Sequence, residues 1–299
     1  AWLAGLLDQA AAVAPDETAD PARRVRAAAT LGRSNYDRAA PALAGLLGSD
    51  QPPAIQSAAA RALGGFDRPE VAGLLLGSWS EYAPSLRNEV VGLLLGRRTW
   101  IGPLLDAAQN GTIAAAQIPP TRRTALLNDR DPAIRSKAAA LFAGETVGPR
   151  AEAIALYKPA LETPGDLDRG KVVFDRECLV CHRIGTRGHE VGPNLAGVRR
   201  RTAEEILTSI LDPNREVSPE FLEYLVAIDD GRVASGLVAS ETPTGVTLRG
   251  REGAEQTILR RNVVEISSTG KSLMPEGIEQ TVSPEEMADL IAYLLRLQD

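Results

Sequence analysis

Cys178-Leu179-Val180-Cys181-His182 decides how this chain is read. It has the form of a covalent haem attachment site. Two thiols add across the two vinyl groups of a haem, and the histidine that follows gives an axial nitrogen to the iron. Two intervening residues let one helical turn present both sulfurs to one porphyrin edge, and the next residue turns its imidazole under the ring. The chain holds only 2 cysteines and 2 histidines, which excludes a four-cysteine zinc site. A thioredoxin-like redox pair needs a βαβ setting, and that is absent here. The expected cofactor is one haem c, attached through Cys178 and Cys181.

Working outward, residues 166–177 read as a helix leading into this motif, with Gly170 and Phe174 on one face at i and i+4. At the far end, Ser283-Pro284-Glu285-Glu286 opens a second helix: serine as N-cap, proline at the first helical position, then two acids. Thr202 caps a third, with Glu205 three residues on. The pattern resembles the class I cytochrome c arrangement, in which the first and last helices cross and a small residue meets an aromatic one. The resemblance pairs Gly170 and Phe174 with Tyr293.

That resemblance implies further site residues. Gly192-Pro193-Asn194-Leu195 follows His182, and in class I cytochromes such a proline offers its carbonyl to the far ring nitrogen of the axial histidine. This bond fixes the tautomer and raises ligand basicity. In the same family a methionine followed by proline, ahead of the last helix, is the usual sixth ligand; here that is Met274-Pro275. The implied iron ligands are therefore His182 and Met274, with Pro193 orienting His182. Met287, the other methionine, lies within the last helix and reads as core. His189, in the polar loop 186–190, is the alternative sixth ligand, although a loop histidine is more often solvated or hydrogen-bonded.

The interval from His182 to Met274 is longer than a small cytochrome needs, and its excess reads as strands. Residues 221–228 alternate in part, Asp229-Asp230-Gly231 makes a turn, and 232–239 return. Residues 244–248, 257–260 and 263–266 are shorter candidates, giving an antiparallel insert over about 221–268. The Cys178–His182 motif, residues 192–195, residues 210–214 (Ile210-Leu211-Asp212-Pro213-Asn214), the β insert, residues 272–277 and residues 286–294 together resemble a haem-binding c-type cytochrome domain found in planctomycetes and verrucomicrobia. In that family the domain commonly follows HEAT-like repeats, which often follow a β-propeller related to sugar dehydrogenases. These residues contain no propeller.

The first half repeats itself. Residues 25–32 are echoed by 55–64, more loosely by 86–94, and again by 134–141; the first two copies are followed by leucine-rich helices at 40–47 and 71–76. Helix pairs at such a period suggest a solenoid, resembling alanine-rich HEAT repeats. Asp131-Pro132, and Asp50 followed by Pro52 and Pro53, fit turns that start the second helix of a pair. An irregular alanine-rich bundle is the alternative. Trp79, Tyr82 and Trp100 are either a contact patch or core. Residues 162–166 break the helical pattern and read as a linker.

The fold class expected is mainly α: a HEAT-like solenoid over 1–162, then a class I cytochrome c fold over 165–299 with its inserted antiparallel sheet. Hydrophobic content of 44% and charged content of 24% suit a soluble globular protein. The formal net charge of −6 argues against a nucleic-acid partner. Residues 165–299 are the acidic part, with 16 basic against 23 acidic side chains. No apolar run is long enough to span a membrane. The opening Ala1-Trp2-Leu3 lacks a methionine and suggests a processed chain or one cut from a longer chain. Haem attachment of this kind implies the bacterial periplasm or another exported location. The expected function is one-electron transfer rather than catalysis, with a redox partner, a dehydrogenase, docked by the repeats. The competing class is a haem enzyme or gas sensor with a labile sixth ligand. Arg199-Arg200-Arg201 is either a propionate or partner contact or a solvated charge run.

Overall fold

The computed structural model describes residues 2–142 and 150–297. The chain divides into two compact units. One comprises Ala1–Ile118, Ala125–Leu141 and Glu241–Val246, and the other Pro119–Thr124, Phe142–Ser240 and Thr247–Asp299.

The first unit is helical, with α1 (Trp2–Val13), α2 (Pro21–Leu31), α3 (Tyr36–Ala44), α4 (Pro53–Gly64), α5 (Glu70–Gly77), α6 (Pro84–Leu95), α7 (Arg98–Gln109), α8 (Pro120–Leu127) and α9 (Pro132–Phe142) in order; α8 straddles the division. The four repeated segments became α2, α4, α6 and α9. Each starts with a proline, whose missing N–H costs nothing at a helix N-terminus. α2 packs on α4 and α4 on α6. The repeat ends in Leu-Gly for a steric reason. A Cβ on Gly32 would lie 2.9 Å from that of Ala62, and one on Gly64 2.9 Å from Leu93 Cδ2. Trp79, Tyr82 and Trp100 are buried; Trp100 Nε1 donates to the Arg68 carbonyl at 2.9 Å. They are core, not a contact patch.

The second unit is built on α10 (Ala151–Tyr157), α11 (Leu167–Glu177), α12 (Ala203–Leu211) and α13 (Pro284–Leu295). Asp166, Thr202 and Ser283 each cap a helix, the last two as reciprocal boxes with Glu205 and Glu286. α11 crosses α13 at Gly170, and the Phe174 and Tyr293 rings lie 5.4 Å apart. Asp289 of α13 pins the crossing. It accepts two bonds from Arg169, at 2.7 and 2.9 Å, and one from the Asp166 N–H at 2.6 Å. The Arg169 bonds hold its carboxyl below the usual carboxylate range.

The boundary differs from the expected break at 162–166. Tyr157 of α10 is buried in the core of the second unit, and its hydroxyl donates to the Val282 carbonyl at 2.6 Å. Arg150 Nε donates to the Leu211 carbonyl at 3.0 Å. Residues 162–166 are not a free linker either, because a Cβ on Gly165 would lie 2.3 Å from the Ala288 carbonyl oxygen. An apolar helical face says that something covers it, not which core does.

Two short strands, β1 (Arg183–Ile184) and β2 (Arg187–Gly188), pair after the cysteine motif. The insert is a five-stranded sheet of β3 (Leu222–Ile228), β4 (Val233–Glu241), β5 (Gly245–Arg249), β6 (Glu255–Leu259) and β7 (Val263–Ser272), in the order β6-β5-β4-β3-β7. β3 runs antiparallel to both neighbours, and its alternate residues Leu222, Tyr224, Val226 and Ile228 are buried. β7 is longer than the expected 263–266. Its polar tail, Ser267 to Ser272, carries no alternation signal and is held by the backbone of β3, with Ser268 opposite Tyr224 and Ser272 opposite Leu222. This extension delivers the chain directly to Met274.

Candidate haem site

α11 ends at Glu177 with Cys178 as its C-cap, but the helical turn continues through the motif. The Cys181 and His182 N–H groups donate to the Cys178 carbonyl at 3.1 and 2.8 Å. The Val191 and Gly192 N–H groups then close on the Cys181 carbonyl at 2.9 and 2.7 Å. These bonds fold residues 191–193 back under His182. His182 Nδ1 donates to the Pro193 carbonyl at 2.8 Å. A carbonyl only accepts, so the proton sits on Nδ1 and Nε2 keeps its lone pair for a metal. Burial pulls the imidazole pKa down, outweighing the opposite pull of the Pro193 carbonyl, and this favours the neutral ring. Burial pushes the Cys178 thiol up to about 12, with Glu177 adding to it, and raises Cys181 as well.

A cavity of about 880 Å³ opens beside the motif. Ligand sites generally enclose about 300–1,000 Å³. Cys178, Cys181, His182 and Pro193 line it from one side, and Met274 and Leu273 lie on the same wall set. Ile206 and Ile210 of α12 add apolar lining, while Arg201, Arg215 and Arg251 supply cations on a wall that also carries carboxylates, among them Glu177, Glu204 and Glu276. Both thiols, a metal-ready imidazole nitrogen, a thioether, apolar walls and cations for carboxylates suit a haem. Among the described residues, no three His, Cys, Asp or Glu side chains cluster as a metal-ion site.

The residues expected from sequence separate cleanly. Cys178, Cys181, His182, Pro193 and Met274 share the cavity. Met287 does not line it and is fully buried in the helical core. His189 is exposed and lies outside it, with its ring against Gly253, where a Cβ would stand 3.1 Å from Nδ1. Of the three successive arginines only Arg201 lines the cavity.

Sequence reading missed the contribution of the sheet. The turn after β5 reaches the cysteine motif, where the Glu252 N–H donates to the Val180 carbonyl at 3.0 Å and Arg251 stands on the cavity wall. Glu252 takes φ +58, the only positive φ outside glycine among the described residues. The segment falls between the expected strands 244–248 and 257–260, and no local signal names its docking site. Asp212 was read only as part of the 210–214 motif. It is 3% exposed on the cavity wall, and burial raises its carboxyl pKa.

Gly192 sets the space for His182. A Cβ there would lie 2.5 Å from Cε1 and 2.7 Å from Nδ1. Gly192→Ala is therefore expected to push the ring off the Pro193 carbonyl and cost about 2 kcal/mol. Loss of the protected Nδ1 proton signal in NMR, with a lower thermal midpoint, is the expected result; a retained signal at the parent position speaks against this packing.

Among the described residues no helix is long and apolar enough to cross a membrane. Residues 9–94 match the family model for HEAT repeats, and residues 167–220 match the one for cytochrome c. A cytochrome c-553-like protein of Synechocystis sp. is 37% identical over 62 residues, which is 20% of this chain and 58% of that relative. The chain thus spans less than two thirds of the curated relative it matches. The cytochrome c match carries the cysteine motif and Pro193 and stops before the sheet and Met274. The chain carries HEAT repeats in its N-terminal part and, in its C-terminal part, a cytochrome c domain, which implies haem c and supports haem-based electron transfer.

Proposed function

We propose that this chain binds one haem c through thioethers to Cys178 and Cys181, with His182 Nε2 and the Met274 thioether as axial ligands, and passes single electrons to a partner protein. Bound there, haem c supplies a reversible one-electron iron couple. The observation that carries the reading is the Nδ1–H bond from His182 to the Pro193 carbonyl, on a cavity that Met274 also lines. Pro193 holds the imidazole in the ligating tautomer. Met274 offers a soft neutral donor that favours the ferrous state. Were His182 and Met274 both to hold the iron, no position would be left for substrate, which would separate an electron carrier from an enzyme. The HEAT repeats are docking surface for the redox partner, which we take to be a dehydrogenase. The location is the periplasm or another exported compartment, where such haem attachment takes place.

The test is the visible spectrum of the haem-loaded protein, oxidised and reduced, with and without CO. A low-spin spectrum with a weak far-red methionine–ferric band and no CO response is the expected outcome. A high-spin spectrum or ready CO binding would replace this reading with a sensor or haem enzyme.

A further inference from the structure

Asn214 grips the chain on both sides of Met274. Its Oδ1 accepts the Ser272 N–H at 2.8 Å, and its Nδ2 donates to Glu276 Oε1 at 2.5 Å. The orientation of the amide follows from its partners. The Ser272 N–H only donates, so it must face oxygen; the other atom is then NH₂, and it faces a carboxylate. The Ser272 hydroxyl in turn accepts the Met274 N–H at 3.1 Å. Residues 272 and 276 are thus tied through one planar side chain, and Met274 between them is held by the Ser272 hydroxyl, between the end of β7 and the left-handed Gly277, φ +93.

The anchor itself is firm. Asn214 follows α12 through the buried pair Asp212 and Pro213, and the Arg215 N–H donates to the Asp212 carbonyl at 3.2 Å. The amide is partly buried, and two elements far apart in sequence, the end of α12 and the end of β7, meet in it. Only a group with one acceptor and one donor side by side satisfies both partners. An aspartate would turn a second acceptor, and a second negative charge, towards Glu276.

We infer that Asn214 is a positioning residue for the sixth ligand, holding residues 272–276 so that the Met274 thioether stays on the cavity. The inference rests on the proposed His182/Met274 ligation. A loop released at Asn214 lets the thioether leave more often, so an added ligand competes with it more effectively.

The experiment titrates haem-loaded protein with imidazole while following the far-red band, in the parent, Asn214→Asp, Met274→Ala and the pair Asn214→Asp with Glu276→Gln. In Asn214→Asp, imidazole is expected to bind about 10- to 100-fold more tightly and the far-red band to weaken, the scale of one lost hydrogen bond to a charged group. The pair reverses donor and acceptor between the two side chains, and it is expected to return the affinity towards the parent value. Far-UV circular dichroism separates this from unfolding, and a general loss of packing is not rescued by Glu276→Gln. If Asn214→Asp keeps the parent imidazole affinity and band while Met274→Ala loses the band, the positioning role is overturned and the ligation stands. If Met274→Ala keeps both, the ligation fails and the inference falls with it.

Discussion

Gly170→Ala is expected to lower the thermal midpoint of the second unit by about 10 °C. A Cβ at that position would stand 2.0 Å from the Asp289 carbonyl oxygen, 2.6 Å from its carbon and 2.8 Å from Tyr293 Cβ. Two of these atoms are helix backbone, so no rotamer change relieves the contact. Asp289 is also tied to Arg169 and to the Asp166 N–H, which stops α13 from sliding away. The helices must separate, loosening the Phe174–Tyr293 contact and the Val173, Leu290 and Leu294 core. Overpacking costs about 3 kcal/mol at the upper end of its usual range, and each kcal/mol moves the midpoint of a domain this size by about 2–4 °C. Calorimetry on the haem-loaded protein checks it. A midpoint within about 2 °C of the parent would mean the crossing is not as close as Gly170 indicates.

Met274→Ala is expected to leave haem attached and to lower the reduction potential by on the order of 0.1–0.2 V, within the ~0.8 V range that axial ligands command. The proposed attachment is through Cys178 and Cys181, whose helical-turn bonds do not involve Met274. On the proposed ligation, loss of the thioether removes the donor that favours ferrous iron and opens the position to water or an added ligand. The far-red band should vanish and CO should bind the reduced protein. Spectroelectrochemistry decides the point, and an unchanged potential and spectrum would remove Met274 from the ligand set. Met287 serves as the internal control. It is fully buried in the helical core, so its replacement should change stability and not potential.

Much of this was legible in sequence because it is coded by short spacings. The Cys178-to-His182 interval specifies one helical turn, and that turn forms. Thr202 with Glu205, and Ser283 with Pro284 and Glu286, name their helix starts because a cap needs only its own next three residues. The glycine at the end of the first repeat has a steric reason: the Ala62 backbone of the next repeat leaves no room for a Cβ at Gly32.

Other features depend on partners far along the chain. The α10 face is apolar in any reading, but only the fold supplies the Val282 carbonyl that its Tyr157 needs. The tail of β7 is polar and unpatterned, and it becomes a strand because β3 offers it a ladder of backbone groups. The turn at Glu252 looks like any loop until its N–H meets Val180.

The sequence alone determined the cysteine–histidine motif, the caps and the repeat character of the first half, while the Gly170–Tyr293 crossing was implied by the resemblance to class I cytochromes c. Each depends on spacing within a turn or on a residue too small to be replaced. Tertiary structure alone decided which core α10 joins, how far β7 runs, that His189 lies off the cavity, and that Asn214 spans both sides of Met274. In each of those cases a polar group or apolar face must be satisfied, and a linear pattern states the need without naming the partner.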